Sequence, residues 1–383
     1  MYADFIKQQL ELHPSITAQD VIKMCFQGAY GAEHLLTDID KVQDYFLTEY
    51  KSCKANDEPV MEFIAPEVCR VNLKAWKRLD LPWEWLFNLF VKSASFAFSD
   101  GNSRFFSYVD EWGGFITEEL CPPTTPTPVH HSQQYRDAEK PAYRVISGSY
   151  VRLIPILIRL SESYLFRHTW LEKGEHSQAH VSPLDFGVPC QARNNMEPIT
   201  SMQSGGIISI DGRSASGKTT LATGLASVIG AEVIHMDDFF LPPELRTPER
   251  LNQPGGNVHY ERFAQEVLPF LADKNQGFEY KIFDCKTMTY NGVRKIKPSN
   301  WRVVEGAYSH HPILGNYMTQ RVFSDIDPAM QIERIKNRNG ENVAKIYADK
   351  WIPMEEKYIH ALLTLTDAFV VPSSNLSLLA EKS

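Results

Sequence analysis

GRSASGKT, Gly212 to Thr219, stands between a short apolar run, GIISID (206–211), and an Ala/Leu-rich segment, LATGLASVIG (221–230). It matches GxxxxGK[ST] in full, and its setting, a strand before and a helix after, is the one in which that pattern forms a phosphate cradle. Gly212 and Gly217 let the chain wrap tightly enough for backbone N–H groups to converge on one anion. Ser214, Ala215, Ser216 and Thr220 complete the loop and the first turn of the helix, whose dipole presents its positive end to the same place. Lys218 adds a mobile positive charge for the outer phosphates of ATP, and the Thr219 hydroxyl is suited to the accompanying Mg²⁺.

Downstream, EVIHM reads as a second strand, followed by an irregular Pro-rich stretch and a helix FAQEVLPFLA. Strands around WRVVEG and RVFSDID come after it. Short β-rich runs alternating with amphipathic helices predict a three-layer α/β/α arrangement with a parallel sheet covered on both faces. In such sheets ligands bind outside the carboxyl ends of the strands. Asp237 and Asp238, in HMDDFF, fall there. Either carboxylate suits proton abstraction from an attacking hydroxyl or a place beside a metal, and a helix cap or solvated turn is the plain structural alternative. Glu305 closes the strand RVVEG and is a candidate for the Mg²⁺ shell. Arg334 and Arg338, four apart in QIERIKNRNGE, share a helix face and are placed to close over a phosphoryl group.

The rest of the chain reads differently. The segment to about residue 174 is expected to be mostly helical. Thr17 and Asp20 have capping-box spacing before VIKMCF. KVQDYFLTEY, RVNLKAWKRL and WEWLFNLFVKSASF place apolar residues three and four apart. CPPTTPTP (121–128) breaks the helical texture because its prolines fix φ and lack a donor. A long helix is expected over SGSYVRLIPILIRLSESYLF, bent near Pro155. Residues 175–204 lose all periodicity and read as a linker, which leaves 205–383 for the P-loop domain. In the first segment, Arg70, Arg136 and Arg144 with His34, His130 and His131 are candidates for an anionic ligand. The same histidines with Glu33 or Cys69 are candidates for a metal, and satisfied interhelical polar contacts are the third reading. This half suits either a regulatory binding module or a second enzyme.

Composition narrows the partners. With 39 Lys and Arg against 47 Asp and Glu, the net charge of −8 argues against a dedicated nucleic-acid binder. The six cysteines include no CxxC pair, so neither a zinc knuckle nor a disulfide framework is expected. No signal peptide or membrane span is apparent, and Arg152 and Arg159 interrupt the most apolar stretch. A cytoplasmic protein acting on a small molecule is the expectation, with no bar to a homo-oligomer.

Taken together, GRSASGKTT, HMDDFF, the VVEGAYS strand and QIERIKNRNGE followed by WIPMEEKY resemble the uridine kinase-like branch of P-loop kinases, over about residues 205–374. That branch also contains phosphoribulokinases and pantothenate kinases. The resemblance implies an ATP-dependent transfer of the γ-phosphoryl to a hydroxyl, with a nucleoside as the first acceptor class. A sugar, polyol or vitamin precursor is the alternative acceptor, and a regulatory NTPase the alternative to a kinase. It makes Asp237 the general base, Phe240 part of the substrate pocket, Glu305 the acid near the metal, and Arg334 and Arg338 lid arginines. In YKIFDCKT it puts Phe283, Asp284 and Thr287 on the substrate. Met288 falls where a base-reading His is expected, and this departure removes donors that a uracil edge needs.

Overall fold

The computed structural model describes residues 2–32, 38–95, 98–114, 126–161 and 205–373. These group into two compact units, one ending at Ile158 and one running from Arg159. The expected linker at 175–204, together with Glu33 and His34, lies outside the described residues.

The second unit is built on a parallel sheet of five strands: β4 (Gly206–Gly212), β5 (Ala231–His235), β8 (Trp301–Glu305), β9 (Gln320–Asp325) and β10 (Phe369–Pro372). Their order across the sheet is β10-β9-β4-β8-β5, so the strand that feeds the Gly-rich loop is central. The central strands are buried along nearly their whole length, which is why they read as apolar runs rather than as alternating ones. Helix α9 (Lys218–Ile229) packs against β4, β5 and β8. A core that includes Ile207, Ile234, Val304 and Phe323 of the sheet takes Tyr260 and Phe263 from α11 (Tyr260–Glu266), and Tyr358, Ile359 and Leu362 from α14 (Ile352–Leu365). Residues 207, 304 and 323 alternate with 208, 303 and 322, so helices cover both faces and the three-layer fold follows. Helix α11 is shorter than FAQEVLPFLA suggests, because Pro269 cannot extend it and a 3₁₀ turn, Leu268–Phe270, takes over. Outside the main sheet, β6 (Phe278–Asp284) and β7 (Thr289–Ile296) form an antiparallel hairpin.

In the first unit the helices are α1 (Tyr2–Leu12), α2 (Ala18–Tyr30), α3 (Ile39–Ser52), α4 (Leu73–Arg78), α5 (Trp83–Ala94), α6 (Gly101–Trp112) and α7 (Gln133–Glu139), and α8, described over 153–161, begins in it. They are joined by something the periodicity did not show: a three-stranded antiparallel sheet of β1 (Met61–Ala65), β2 (Val68–Asn72) and β3 (Tyr143–Ser147). The expected helix RVNLKAWKRL is therefore half strand. Its first residues belong to β2, where Val68 to Val71 are all buried and give no alternation to read. Asn72 then caps α4, its side chain accepting the N–H groups of Lys74 and Ala75. The expected bend at Pro155 is also replaced. Residues 148–152 form a 3₁₀ turn and the α-helix begins at 153, so Pro155 sits in a first turn whose N–H groups need no helical acceptor. Among the described residues, no helix is long and apolar enough to cross a membrane.

Candidate active site

The loop between β4 and α9 is fixed from below before any ligand is considered. Asp211, the last side chain of the apolar strand, is buried. It accepts N–H bonds from Gly212 (2.7 Å), Tyr308 (3.0 Å) and His310 (2.9 Å) and the hydroxyl of Tyr358 (2.6 Å). One carboxylate thus ties the loop to the segment after β8 and to α14. Gly212 has φ 145°, and a Cβ there would lie 2.0 Å from the carbonyl oxygen of Ser324, so only glycine lets β4 and β9 approach this closely. Ala215 adopts the left-handed region at φ 61°, the turn that aims the loop amides inward. Ser216, fully buried, receives at its carbonyl the hydroxyl of Ser324 (3.1 Å) and serves the fold of the loop. Lys218 lies across the loop, its Nζ donating to the carbonyls of Gly212 (3.0 Å) and Arg213 (2.8 Å).

Parallel register then aligns the acids. Glu305 at the end of β8 is level with Ile210 of β4 and His235 of β5. Its buried carboxylate takes the Thr219 hydroxyl (3.2 Å) and contacts His235 Nδ1 (2.5 Å). A hydroxyl and a carboxylate at one point, beside Lys218, are hard oxygen donors of the kind Mg²⁺ takes.

The two aspartates after β5 separate. They lie on a 3₁₀ turn, Met236–Phe239, just past the strand. Asp238 is buried and salt-bridged to Arg294 Nε at 2.8 Å, while its carbonyl accepts from Arg262. Asp237 opens into the cavity. Its side chain is exposed to the cavity yet crowded by surrounding protein, and the partial loss of hydration there, then the neighbouring Glu305 charge, raises its carboxyl above the ordinary aspartate range, against the pull of Lys218.

The cavity itself has a volume of about 790 Å³, within the span of small-molecule sites. Its wall includes Ser214, Ala215, Gly217, Lys218, Thr219 and Thr220 of the loop, and also Asp237, Phe240, Glu305, Arg334 and Arg338. Arg334 and Arg338 come from α12 (Pro328–Asn339), with Arg334 donating to the carbonyl of Ala215 (3.3 Å). Gly212 and Ser216 are not in the lining. Nor are Phe283, Asp284 and Thr287: Phe283 is buried against Tyr290, Asp284 accepts the Lys286 N–H (2.8 Å) in the hairpin turn, and Thr287 is exposed. Met288 adopts φ 57° to close that turn, and Cys285 is the turn residue that reaches the cavity.

Sequence reading also passed over several lining residues. Arg246, Asn257 and Lys350 lie outside every motif, while Tyr308 and Glu355 lie within the VVEGAYS and WIPMEEKY stretches but were given no role; folding brings all five in. Glu355 is buried on α14 and accepts the Ser214 N–H (3.1 Å), the Ser214 hydroxyl and the Gln331 amide (3.2 Å), so it buttresses the P-loop directly.

The first unit contains a polar network of its own. Asp20, at the start of α2, takes the backbone N–H (3.0 Å) and hydroxyl (2.7 Å) of Thr17, as capping-box spacing predicts. It also takes His131 Nδ1 (2.8 Å) and both the N–H (2.9 Å) and the hydroxyl of Ser132 (2.6 Å). Burial alone would raise its pKa. The hydrogen bonds from His131, Ser132 and Thr17 outweigh that and hold the carboxyl well below the usual range. His131 Nε2 continues to the Tyr143 hydroxyl (2.5 Å), beside Gln27, which accepts from the buried Arg70 (3.0 Å). Burial keeps His131 below its ordinary pKa, and burial with nearby Arg70 lowers Lys23 to about 8.

Arg144 does not converge on this network. It pairs with Glu49 at 2.8 Å, because neighbouring residues of β3 point to opposite faces and Tyr143 takes the one toward His131 and Gln27. Arg136 bonds Gln133 (2.8 Å) on an exposed helix face. Among the described residues no group of three His, Cys, Asp or Glu side chains is set to hold a metal ion.

No protein-family model matches the chain, and no curated protein matches it. Among solved structures, one described as a candidate uridine kinase from Bacillus stearothermophilus aligns with 56% of this chain and 99% of its own, at 18% identity and a TM-score of 0.33. A second, described as a candidate fructose transport system kinase from Silicibacter sp. TM1040, aligns with 49% of this chain and 88% of its own, at 18% identity and a TM-score of 0.32. At these scores neither neighbour decides the chemistry, which is read from the cavity.

Proposed function

We propose that the second unit is an ATP-dependent kinase that phosphorylates a hydroxyl group of a small molecule. The observation that carries this reading is the meeting, in one cavity, of a P-loop and an aspartate outside it: Lys218 and Thr219 on one hand, Asp237 on the other. An NTPase that only hydrolyses ATP needs the first set. A carboxylate with a raised pKa at the C-terminal end of β5 is what an acceptor hydroxyl needs.

In this reading the loop amides and Lys218 hold the ATP phosphates, and Thr219 with Glu305 would hold Mg²⁺. Bound there, the ion neutralises phosphate charge. Asp237 accepts the proton of the acceptor hydroxyl, whose oxygen attacks the γ-phosphorus. The bond from that phosphorus to the bridging oxygen breaks, and ADP leaves with the electron pair. Arg334 and Arg338 stabilise the charge developing on the transferring group and exclude water.

The test is ADP formation by purified protein with Mg·ATP over nucleosides, sugars, polyols, sugar phosphates and hydroxy acids, with Lys218→Ala beside it. Acceptor-dependent ADP formation lost in Lys218→Ala is the expected outcome. Substrate-independent ADP release lost in the same variant would move the reading to a regulatory NTPase, and a rate untouched by the substitution would remove the P-loop assignment.

A further inference from the structure

Nine arginines lie between residues 205 and 373. Five of them, Arg213, Arg250, Arg262, Arg294 and Arg321, pair with carboxylates. Arg302 is buried and gives its guanidinium to the backbone carbonyls of Phe270, Asp273 and Gln276. The remaining three, Arg246, Arg334 and Arg338, all line the cavity, and none has a carboxylate partner among the described residues.

For Arg334 and Arg338 the transferring phosphates supply the missing negative charge, since Arg334 already touches the P-loop. Arg246 is a separate case. It comes from the irregular stretch after Phe240, anchored by an Nε bond to the carbonyl of Leu241 at 2.8 Å. That bond uses the Nε donor, and the terminal end of the fork also meets the Cys285 side chain, with further N–H groups left over for a ligand. Its neighbour in the lining is Cys285, which is close enough to feel both Arg246 and Asp237. Arg246 therefore lines the same cavity as the proposed base, on a segment distinct from those that carry the P-loop and α12.

A guanidinium in a recessed site gains most from a planar or tetrahedral oxyanion, which it holds by two parallel charge-assisted bonds. A neutral nucleoside or polyol offers acceptor atoms but no charge. The groups assigned by resemblance to the substrate in the hairpin segment, Phe283, Asp284 and Thr287, are absent from the lining, and so is Met288, which stands at the base-reading position. We infer that the acceptor is an alcohol bearing an oxyanion, a carboxylate or a phosphate monoester, which Arg246 holds while the hydroxyl faces Asp237. This rests on the kinase reading above and narrows its substrate class.

The experiment uses Cys285, exposed in the cavity beside Arg246, as the reporter. The full-length protein is loaded with Mg²⁺ and the non-hydrolysable ATP analogue AMPPNP, so that the P-loop is filled. Alkylation of Cys285 by neutral iodoacetamide is then followed by peptide mapping, in the presence of glycerate, glycerol, ribose 5-phosphate or ribose. Glycerate or ribose 5-phosphate is expected to slow labelling by about tenfold, the scale of a charge-assisted bidentate bond, while glycerol and ribose do not. Protection by glycerate alone assigns a carboxylate; protection by ribose 5-phosphate alone assigns a phosphate. Arg246→Gln is expected to lose the protection and Arg246→Lys to keep part of it, with AMPPNP affinity unchanged in both as the control for folding. Equal protection by charged and neutral compounds, protection that survives in Arg246→Gln, or protection by neither anion overturns the inference. No phosphoryl transfer occurs with AMPPNP, so this result stands apart from the kinase reading, which fails instead if Lys218→Ala leaves ADP formation untouched.

Discussion

In the second unit, eight consecutive residues from Gly212 to Thr219 make most of a phosphate cradle, whereas in the first unit Asp20 and Gln27 of one helix meet Arg70, His131 and Tyr143 from three other segments to make one hydrogen-bonded chain. The cradle works through backbone amides, and the chain turns back on itself within a few residues to aim them. The network works through side chains, and no local rule brings α2, β2, β3 and the segment before α7 together. The cradle also opens on a cavity where Arg334, Arg338 and Arg246 have no carboxylate partner among the described residues. In the first unit each polar atom of Asp20 and both ring nitrogens of His131 are already bonded within the protein. Unpartnered charge in a recess marks a place for a ligand; a closed network marks a place where the fold is held.

If that contrast is right, substitutions in the two units must fail in different ways. The largest effect is expected for Lys218→Ala. ADP formation should fall by about 10³-fold or more, the scale of losing a charge on the transferring phosphoryl group, with a thermal midpoint near that of the wild type. Next comes Asp237→Asn, expected to lower kcat by about 10²- to 10⁴-fold as the general base is lost. The base acts when ionised, so the wild-type rate should rise with pH through the Asp237 pKa, at a pH above the ordinary aspartate range. Glu305→Gln should move this limb to lower pH, because it removes one of the charges that raises Asp237. A limb at the ordinary aspartate value would break the assignment.

Asp20→Asn tests the other unit. It should lower stability by about 2–4 kcal/mol, since bonds to a buried ionised acceptor are weakened together, and leave the affinity for Mg·ATP unchanged. A loss of ATP turnover in this variant without loss of fold would show that the network does more than hold the unit together. The pH dependence follows from both groups. Asp20 is held below its ordinary pKa by its hydrogen bonds and His131 below its own by burial, so the unfolded chain binds more protons at each site in acid. Stability is therefore full above about pH 6.5, the unfolded histidine pKa. It declines as pH falls below that, and declines further below about pH 4, the unfolded aspartate pKa. Calorimetric unfolding between pH 7 and pH 4 checks the sign. The smallest effect is expected for Glu355→Gln, which keeps an acceptor for the Ser214 N–H but removes a negative charge from the wall of the cradle. Mg·ATP should bind a few-fold tighter, about 1 kcal/mol for a charge set back from the phosphates behind the loop.

Much of this was open to a reader of the residues, for local reasons. A strand, a glycine turn and a helix in immediate succession define the P-loop, and the alternation of short apolar runs with helices gives the layered α/β unit. Asp237 and Glu305 could be placed near the loop because strand ends are visible as the last residues of apolar runs. Pattern and strand-end position did not choose between Asp237 and Asp238; only the resemblance favoured Asp237, and in the fold it is Asp238 that meets Arg294. The three-stranded sheet was hidden because β2 is buried on both sides and its residues run straight into α4. The hairpin of β6 and β7 was hidden for a related reason: its turn is closed by Met288 at positive φ, a conformation that methionine does not advertise.

The sequence by itself determined the phosphate cradle and the parallel sheet that carries it, because both depend on contacts within a few residues and on a repeating pattern. Only the tertiary structure decided which distant side chains share the cavity with that cradle. Arg246, Cys285 and Glu355 reach it from three segments, and Asp211 ties it from beneath. Such meetings depend on how the elements pack and on which charges the packing leaves without a partner, and neither is written in any local stretch of the chain.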